Sequence, residues 1–230
     1  MNAKRFKVLS VFTLGMLLTG IFFTSAFGFG LKNLTGGDKK EAISVDALVD
    51  TQANLCKRLN AALIDVTAAQ RHFFLALDKK KEADKCKALS DNLSKGNFED
   101  TDALAKNIDE TENNAIAIKG LLKDSGKLDA DKKRELQKGL VPYAKGTAHS
   151  VLLGKEFVAQ LDSTKDAVKQ AGITGALSVK KKLGTTLKVA PKVPTLGKSL
   201  LDTANIALKT AKKAKLKTDV AYAALEMEMD

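Results

Sequence analysis

With only two histidines in this 230-residue sequence, candidates for metal or near-neutral acid–base chemistry are few, and two cysteines are its candidates for thiol chemistry. On a helix, a ligand partner for His72 would stand three or four residues away, where the chain has Ala68, Ala69, Leu75 and Ala76. His149 is flanked at the same spacing by Lys145, Gly146, Leu152 and Leu153, so the Glu-x-x-His pair of di-iron bundles is missing. Both histidines read as structural or surface residues, and no metal or cofactor is expected. Cys56 and Cys86 would be disulfide candidates in an exported chain. In one continuous helix, however, they would lie about 45 Å apart, and in a hairpin turning near Lys80 the residue facing Cys86 would lie nearer Phe74 than Cys56. Two unpaired thiols beside the apolar stripes are expected, and neither has a neighbouring base to activate it.

Two further stretches resemble chemistry without supporting it. "LGKSL" at 196–200 has the ending of a phosphate-binding loop, but the first glycine of that motif would fall on Lys192 and no strand precedes it. The acidic cluster Asp109, Glu110 and Glu112 falls on the polar side of its helix and reads as solvated. No catalytic constellation emerges, and the chain reads as a non-enzyme without a small-molecule substrate.

Charge is more informative. The formal net charge is +11. Residues 31–171 carry 24 basic and 22 acidic side chains, whereas residues 172–217 carry eleven lysines against Asp202 alone. Such asymmetry points to an anionic partner. The candidate contact residues are Lys180, Lys181, Lys182, Lys198, Lys209, Lys212, Lys213 and Lys217. In the final helix Leu196, Leu201, Ala204, Ala207, Leu208 and Ala211 share one face, while Lys198, Lys209, Lys212, Lys213 and Lys217 occupy the other. A helix of this kind lies on an anionic membrane surface or docks on a polyanion. The competing reading is a bundle helix whose lysines only keep its outer face wet. With no tryptophan and only Tyr143 and Tyr222 as tyrosines, material for base-stacking platforms is scarce.

The elements that position these residues follow from periodicity. Lys4, Arg5 and Lys7, an apolar run from Val8 to Phe23, and Thr24-Ser25-Ala26 have the layout of a secretory signal peptide. Residues 1–30 are assigned to it, with cleavage near 26–28. An uncleaved N-terminal membrane anchor is the alternative, because Val8 to Phe29 reaches the roughly 20 residues a bilayer needs. Residues 31–43 read as a flexible N-terminal segment, 44–171 as a helical body, and 172–230 as a basic helical region with a link at Pro191 and Pro194.

Within the body, Ser44 stands as an N-cap before one helix of about nine turns, whose inward row includes Leu55, Leu59, Leu63, Val66 and Phe73. After Asp78 the phase changes, so the chain either turns or changes packing partner. Gly96 stops a helix, Asp100 or Thr101 caps the next, and Leu104, Ile108, Thr111, Ala115, Ile118 and Leu122 form its inward row. A third long segment starts at Asp129, with a kink or restart expected between Gly139 and Pro142. Gly139, Gly146 and Gly154 would let a neighbouring helix approach closely. A short amphipathic stretch from Ile173 to Ala190, an extended "PKVP" link and a final helix from Pro194 complete the chain. Strand signals are missing, so the expected fold is all-α: an elongated antiparallel helical bundle with long amphipathic helices.

The segments "GLVPYAKGT" at 139–147, "GKEF" at 154–157 and "GALSVKKKL" at 175–183 make the chain similar to exported all-α bacterial envelope proteins. The resemblance implies an envelope location and a helical fold, and carries no active-site residues. The leading expectation is thus a non-enzymatic periplasmic interaction or scaffolding protein with an envelope protein partner. The alternative is a peripheral envelope binder that sets its lysine-rich C-terminal helix on anionic lipid, polysaccharide or nucleic acid.

Overall fold

The computed structural model describes residues 44–226. The leader and the segment 31–43 lie outside the described residues. Among those described, eight α-helices and one 3₁₀ turn are present and there is no strand, so the domain is an all-α bundle.

Helix α1, Val45–Ala76, begins where the Ser44 hydroxyl accepts the Ala47 N–H at 3.3 Å. Its inward row is sealed, with Leu59, Leu63, Val66 and Phe73 at 0% exposure. The phase change after Leu77 is a turn. Asp78 adopts a left-handed φ of 58°, which a short polar side chain tolerates better than most. Helix α2, Lys80–Leu93, then folds back, and the Asn60 amide donates to the Leu93 carbonyl at 3.1 Å. Gly96, at φ +80°, supplies the left-handed residue that ends this hairpin. After a 3₁₀ turn, Asn97–Glu99, the Asp100 carboxylate accepts the Asp102 and Ala103 N–H groups and starts α3, Thr101–Lys123. All six residues of the expected inward row of α3 are buried.

Helix α4, Ala130–Gln170, starts at the Asp129 cap and runs for 41 residues, roughly 60 Å. It continues through Pro142, so the expected restart does not occur. The carbonyl left without a donor belongs to Lys138, an exposed residue. Flanking Gly139, Leu140, Tyr143 and Ala144 are buried, and that packing holds the helix together across the proline.

The glycines set the packing distances. A Cβ on Gly139 would sit 2.6 Å from the Phe73 ring, and one on Gly146 2.6 Å from Val66 Cγ2 and 3.0 Å from the Ala62 carbonyl. Only backbone fits there, so α1 and α4 lie against each other, antiparallel, as the Arg58–Glu156 and His72–Glu135 pairs confirm. Gly154 similarly faces Pro194, and Gly197 faces Val151.

The C-terminal quarter departs from the sequence reading in three ways. The stretch from Ile173 breaks at Leu183 into α5, Gly172–Lys182, and α6, Gly184–Val189. The "PKVP" link is a compact turn: the Lys192 N–H donates to the Val189 carbonyl at 2.9 Å, and Lys192 has helical φ and ψ of −87° and −32°. Val189, Ala190 and Val193 are wholly buried and draw the link into the core. Helix α7, Val193–Lys213, takes Pro194 in its first turn, where no N–H is needed. Finally, a separate helix α8, Asp219–Glu226, packs Ala221 and Leu225 against α4. Consecutive long helices run antiparallel, while α3 and α7 lie side by side in the same direction, joined by Asp109–Lys192 and Thr203 to the Ala115 carbonyl. Among the described residues no helix is long and apolar enough to cross a membrane.

A candidate anion-binding groove

Helix α7 ends in a motif that needs a left-handed residue. The Leu216 N–H donates to the Ala211 carbonyl at 2.9 Å and the Lys215 N–H to the Lys212 carbonyl at 3.0 Å. That is a Schellman end, in which the left-handed position is usually glycine. Here it is Lys215, at φ 61°. Beside it α3 ends at Lys123, and the chain passes through Ser125, Gly126, Lys127 and Leu128 to α4.

Between these segments lies an open groove of about 820 Å³. Its apolar floor is Leu122, Leu128, Ile206 and Ala214. Its walls carry seven lysines: Lys209, Lys212, Lys213 and Lys215 from one side, Lys123, Lys127 and Lys133 from the other. No carboxylate is among the lining residues, and among the described residues none of these lysines is ion-paired. The nearest balancing carboxylate on α7 is Asp202, taken up by Lys119 at 3.2 Å. Lys133 is half-buried and the other six are exposed.

Three of these cations have an ordinary structural use. Lys123, Lys212 and Lys213 stand in the last turns of α3 and α7 and oppose the helix dipoles, each contributing about 0.3–1 kcal/mol. That does not account for Lys127 and Lys215 outside the helices, or Lys133 in the first turn of α4, where positive charge is unfavourable. Seven cations around one concavity raise the local concentration of anions. With no aromatic side chain in the lining, recognition rests on charge.

The eight lysines singled out from the sequence are not brought together. Lys209, Lys212 and Lys213 line the groove, and Lys217 stands exposed just past the turn, its carbonyl accepting from Gln137 at 2.9 Å. Lys198 is exposed midway along the bundle on α7. Lys180, Lys181 and Lys182 belong to α5 at the other end of α4, roughly 50 Å from the groove, and Lys182 is paired with Asp46 at 3.1 Å. The sequence reading missed Lys123, Lys127, Lys133 and Lys215. The first three lie in a region whose charges cancel along the chain but not in space.

The remaining candidates resolve simply. His72 Nδ1 lies 2.8 Å from Glu135 Oε2 across α1 and α4, and Glu135 is held below the ordinary carboxylate range by hydrogen bonds from Lys138 and then His72. Cys56 and Cys86 are free and buried. Burial pushes the Cys56 thiol up to about 11; burial, with a smaller push from Glu82, takes Cys86 to about 12. "LGKSL" lies inside α7, its glycine used for contact with α4. The acidic cluster is not simply solvated: Asp109 receives Lys192 at 2.6 and 2.8 Å, and Glu112 accepts from Ser199 at 2.9 Å, clamping α3 to α7. Among the described residues there is no group of three or more His, Cys, Asp or Glu side chains placed to hold a metal ion. Comparison with protein-family models, with curated proteins and with solved structures finds no match to this chain.

Proposed function

We propose that this chain is a non-enzymatic exported helical protein that holds a linear polyanion in the lysine-walled groove at the α3–α4 and α7 end. The observation that carries this reading is the set of seven unpaired lysines converging from three segments on one concavity without a carboxylate in its lining. An open, charge-walled groove suits an extended ligand whose anionic groups repeat, such as a sulfated or phosphorylated polymer. The aromatic-free lining disfavours single-stranded nucleic acid, which gains much of its affinity by stacking. The leader composition supports export, which leads this chain to envelope polymers.

Heparin and inorganic polyphosphate serve as probes, with affinity measured over a series of salt concentrations. Each neutralised charge contributes roughly 0.7–0.9 to the slope of log affinity against log salt. The triple variant Lys209→Gln, Lys212→Gln, Lys213→Gln is therefore expected to lose about two units of slope and more than tenfold in affinity at low salt, with helicity unchanged. The pair Lys180→Gln, Lys181→Gln, at the far end, is expected to bind as the parent does. Equal binding by parent and triple variant, or no binding by either, would overturn the proposal.

A further inference from the structure

Helix α5 presents an apolar pair that nothing in the fold uses. Ile173 is 98% exposed and Leu177 77%, the two most exposed large apolar side chains described. They stand one turn apart. At 100° per residue Leu177 lies about 40° from Ile173, Lys180 about 20° to one side of the pair and Lys181 about 40° beyond the other. The opposite side of the helix is fixed: Val179 is buried and packs, with Leu183, against Leu48 and Ala167. Gly172, at φ +64°, breaks the chain sharply out of α4, so α5 is held by its back with its apolar pair facing outward.

Charge identifies the occupant. Three carboxylates at this end are matched, Asp46 with Lys182, Asp162 with Lys165 and Asp166 with Lys169, while Asp50 stands exposed on α1 without an ion pair among the described residues. Among the described residues Lys180 and Lys181 have no carboxylate partner. Two apolar side chains bracketed by two unmatched cations are the pattern of a helix lying in a membrane interface, apolar residues between acyl chains and lysines among anionic head groups. A protein partner is the weaker fit. A patch of two side chains and their flanking lysines falls far below the roughly 1,200 Å² that stable protein interfaces bury.

We infer that α5 is an interfacial docking element for an anionic lipid bilayer, with Ile173 and Leu177 inserted and Lys180 and Lys181 on the head groups. The site lies roughly 50 Å from the lysine groove and does not depend on the groove's ligand, so failure of one assignment leaves the other standing.

The sequence has no tryptophan, so Leu177→Trp places a single fluorophore on this face of the full chain. Its readout is local to this face. Vesicles of phosphatidylcholine containing phosphatidylglycerol are expected to shift the emission to shorter wavelength, and bromine-labelled acyl chains to quench it. Phosphatidylcholine alone is expected to do neither. Adding Lys180→Glu and Lys181→Glu is expected to abolish both effects. As a control, the Val220→Trp variant, exposed on α8, is expected to stay unquenched. Four results would overturn the inference: emission indifferent to anionic vesicles, an effect that survives the charge reversal, equal quenching in the Val220→Trp variant, or a blue shift without vesicles that grows with protein concentration. The last would seat a second copy of the chain on α5.

Discussion

Replacing Lys215 with glycine tests whether the groove is a functional feature or a by-product of helix-end chemistry. Lys215 holds a left-handed conformation, φ 61°, at the point where α7 closes its Schellman end. A residue with a Cβ is disfavoured there by roughly 1–2 kcal/mol. Glycine removes that strain but gives the unfolded chain more freedom, an opposing effect of roughly 0.4–1 kcal/mol. The net expectation for Lys215→Gly is a gain of about 0.5–1 kcal/mol. With a urea m-value of about 2 kcal/mol/M, the unfolding midpoint followed by helical circular dichroism would rise by about 0.25–0.5 M. The same substitution removes one groove cation, so the salt slope for heparin should fall by roughly 0.7–0.9 and the low-salt affinity with it. Stability and binding thus move in opposite directions. A lysine kept only for packing or helix capping would lower stability when removed and leave binding alone. That outcome, or a stability gain with unchanged binding, would refute the assignment of Lys215 to an anion site.

Two further predictions concern the body that carries the site. Gly146→Ala and Gly120→Ala are the same chemical change with opposite expected signs. At Gly120, exposed on α3 with nothing within 4 Å of a new Cβ, alanine should add about 1 kcal/mol through helix propensity. At Gly146 that gain is set against overpacking of about 1–3 kcal/mol on Val66 and the Ala62 carbonyl, leaving a net loss of up to about 2 kcal/mol. Urea unfolding of the two variants separates them, and equal stabilisation would mean that α1 and α4 do not touch at that level. The thiols supply the other prediction. With Cys56 raised to about 11 and Cys86 to about 12, the thiolate fraction of each at pH 8 is far below that of an ordinary cysteine. A thiol-specific reagent should label neither until the protein unfolds. Rapid labelling of native protein would place a cysteine in an open, activated environment that the buried positions exclude.

The body was legible from its sequence because its signals are local. Ser44 caps the helix it was expected to cap, the third long segment starts at Asp129 as expected, Asp100 settles the choice between two candidates, and Gly96 marks a left-handed stop. The apolar rows of α1 and α3 repeat at helical spacing over many turns, so burial follows from period alone. The C-terminal quarter was harder because its boundaries are decided by tertiary packing. The break at Leu183 did have a local signal, three lysines in the last turn and then Gly184, which the apolar periodicity running on to Ala190 masked; Leu183 and Val189 enter different apolar clusters, and the chain divides between them. The prolines at 191 and 194 suggested extension, whereas the buried residues around them made a turn. The groove was half visible. Its α7 wall stood out in the charge count, while its other wall depends on Lys123, Lys127 and Lys133, whose neighbours in sequence include enough carboxylates to hide them.

In space the lysines of the basic C-terminal quarter fall into three groups, with Lys198 standing exposed on α7 apart from them. Lys182, Lys188 and Lys192 pair with Asp46, Asp102 and Asp109, holding α5 to α7 onto the body. Lys209, Lys212 and Lys213 meet the lysines around the α3–α4 loop at one end, and Lys180 and Lys181 flank the apolar pair at the other. At 0.1 M salt the Debye length is about 10 Å, so a separation of roughly 50 Å along α4 screens the two free clusters from each other. Taken as the two proposed sites, they should give variants that combine additively, since distant positions without shared partners do so. A stiff helix of 41 residues joins them. An anionic polymer held in the groove would therefore stand at a fixed distance from a lipid surface bound by α5, with the spacing set by α4.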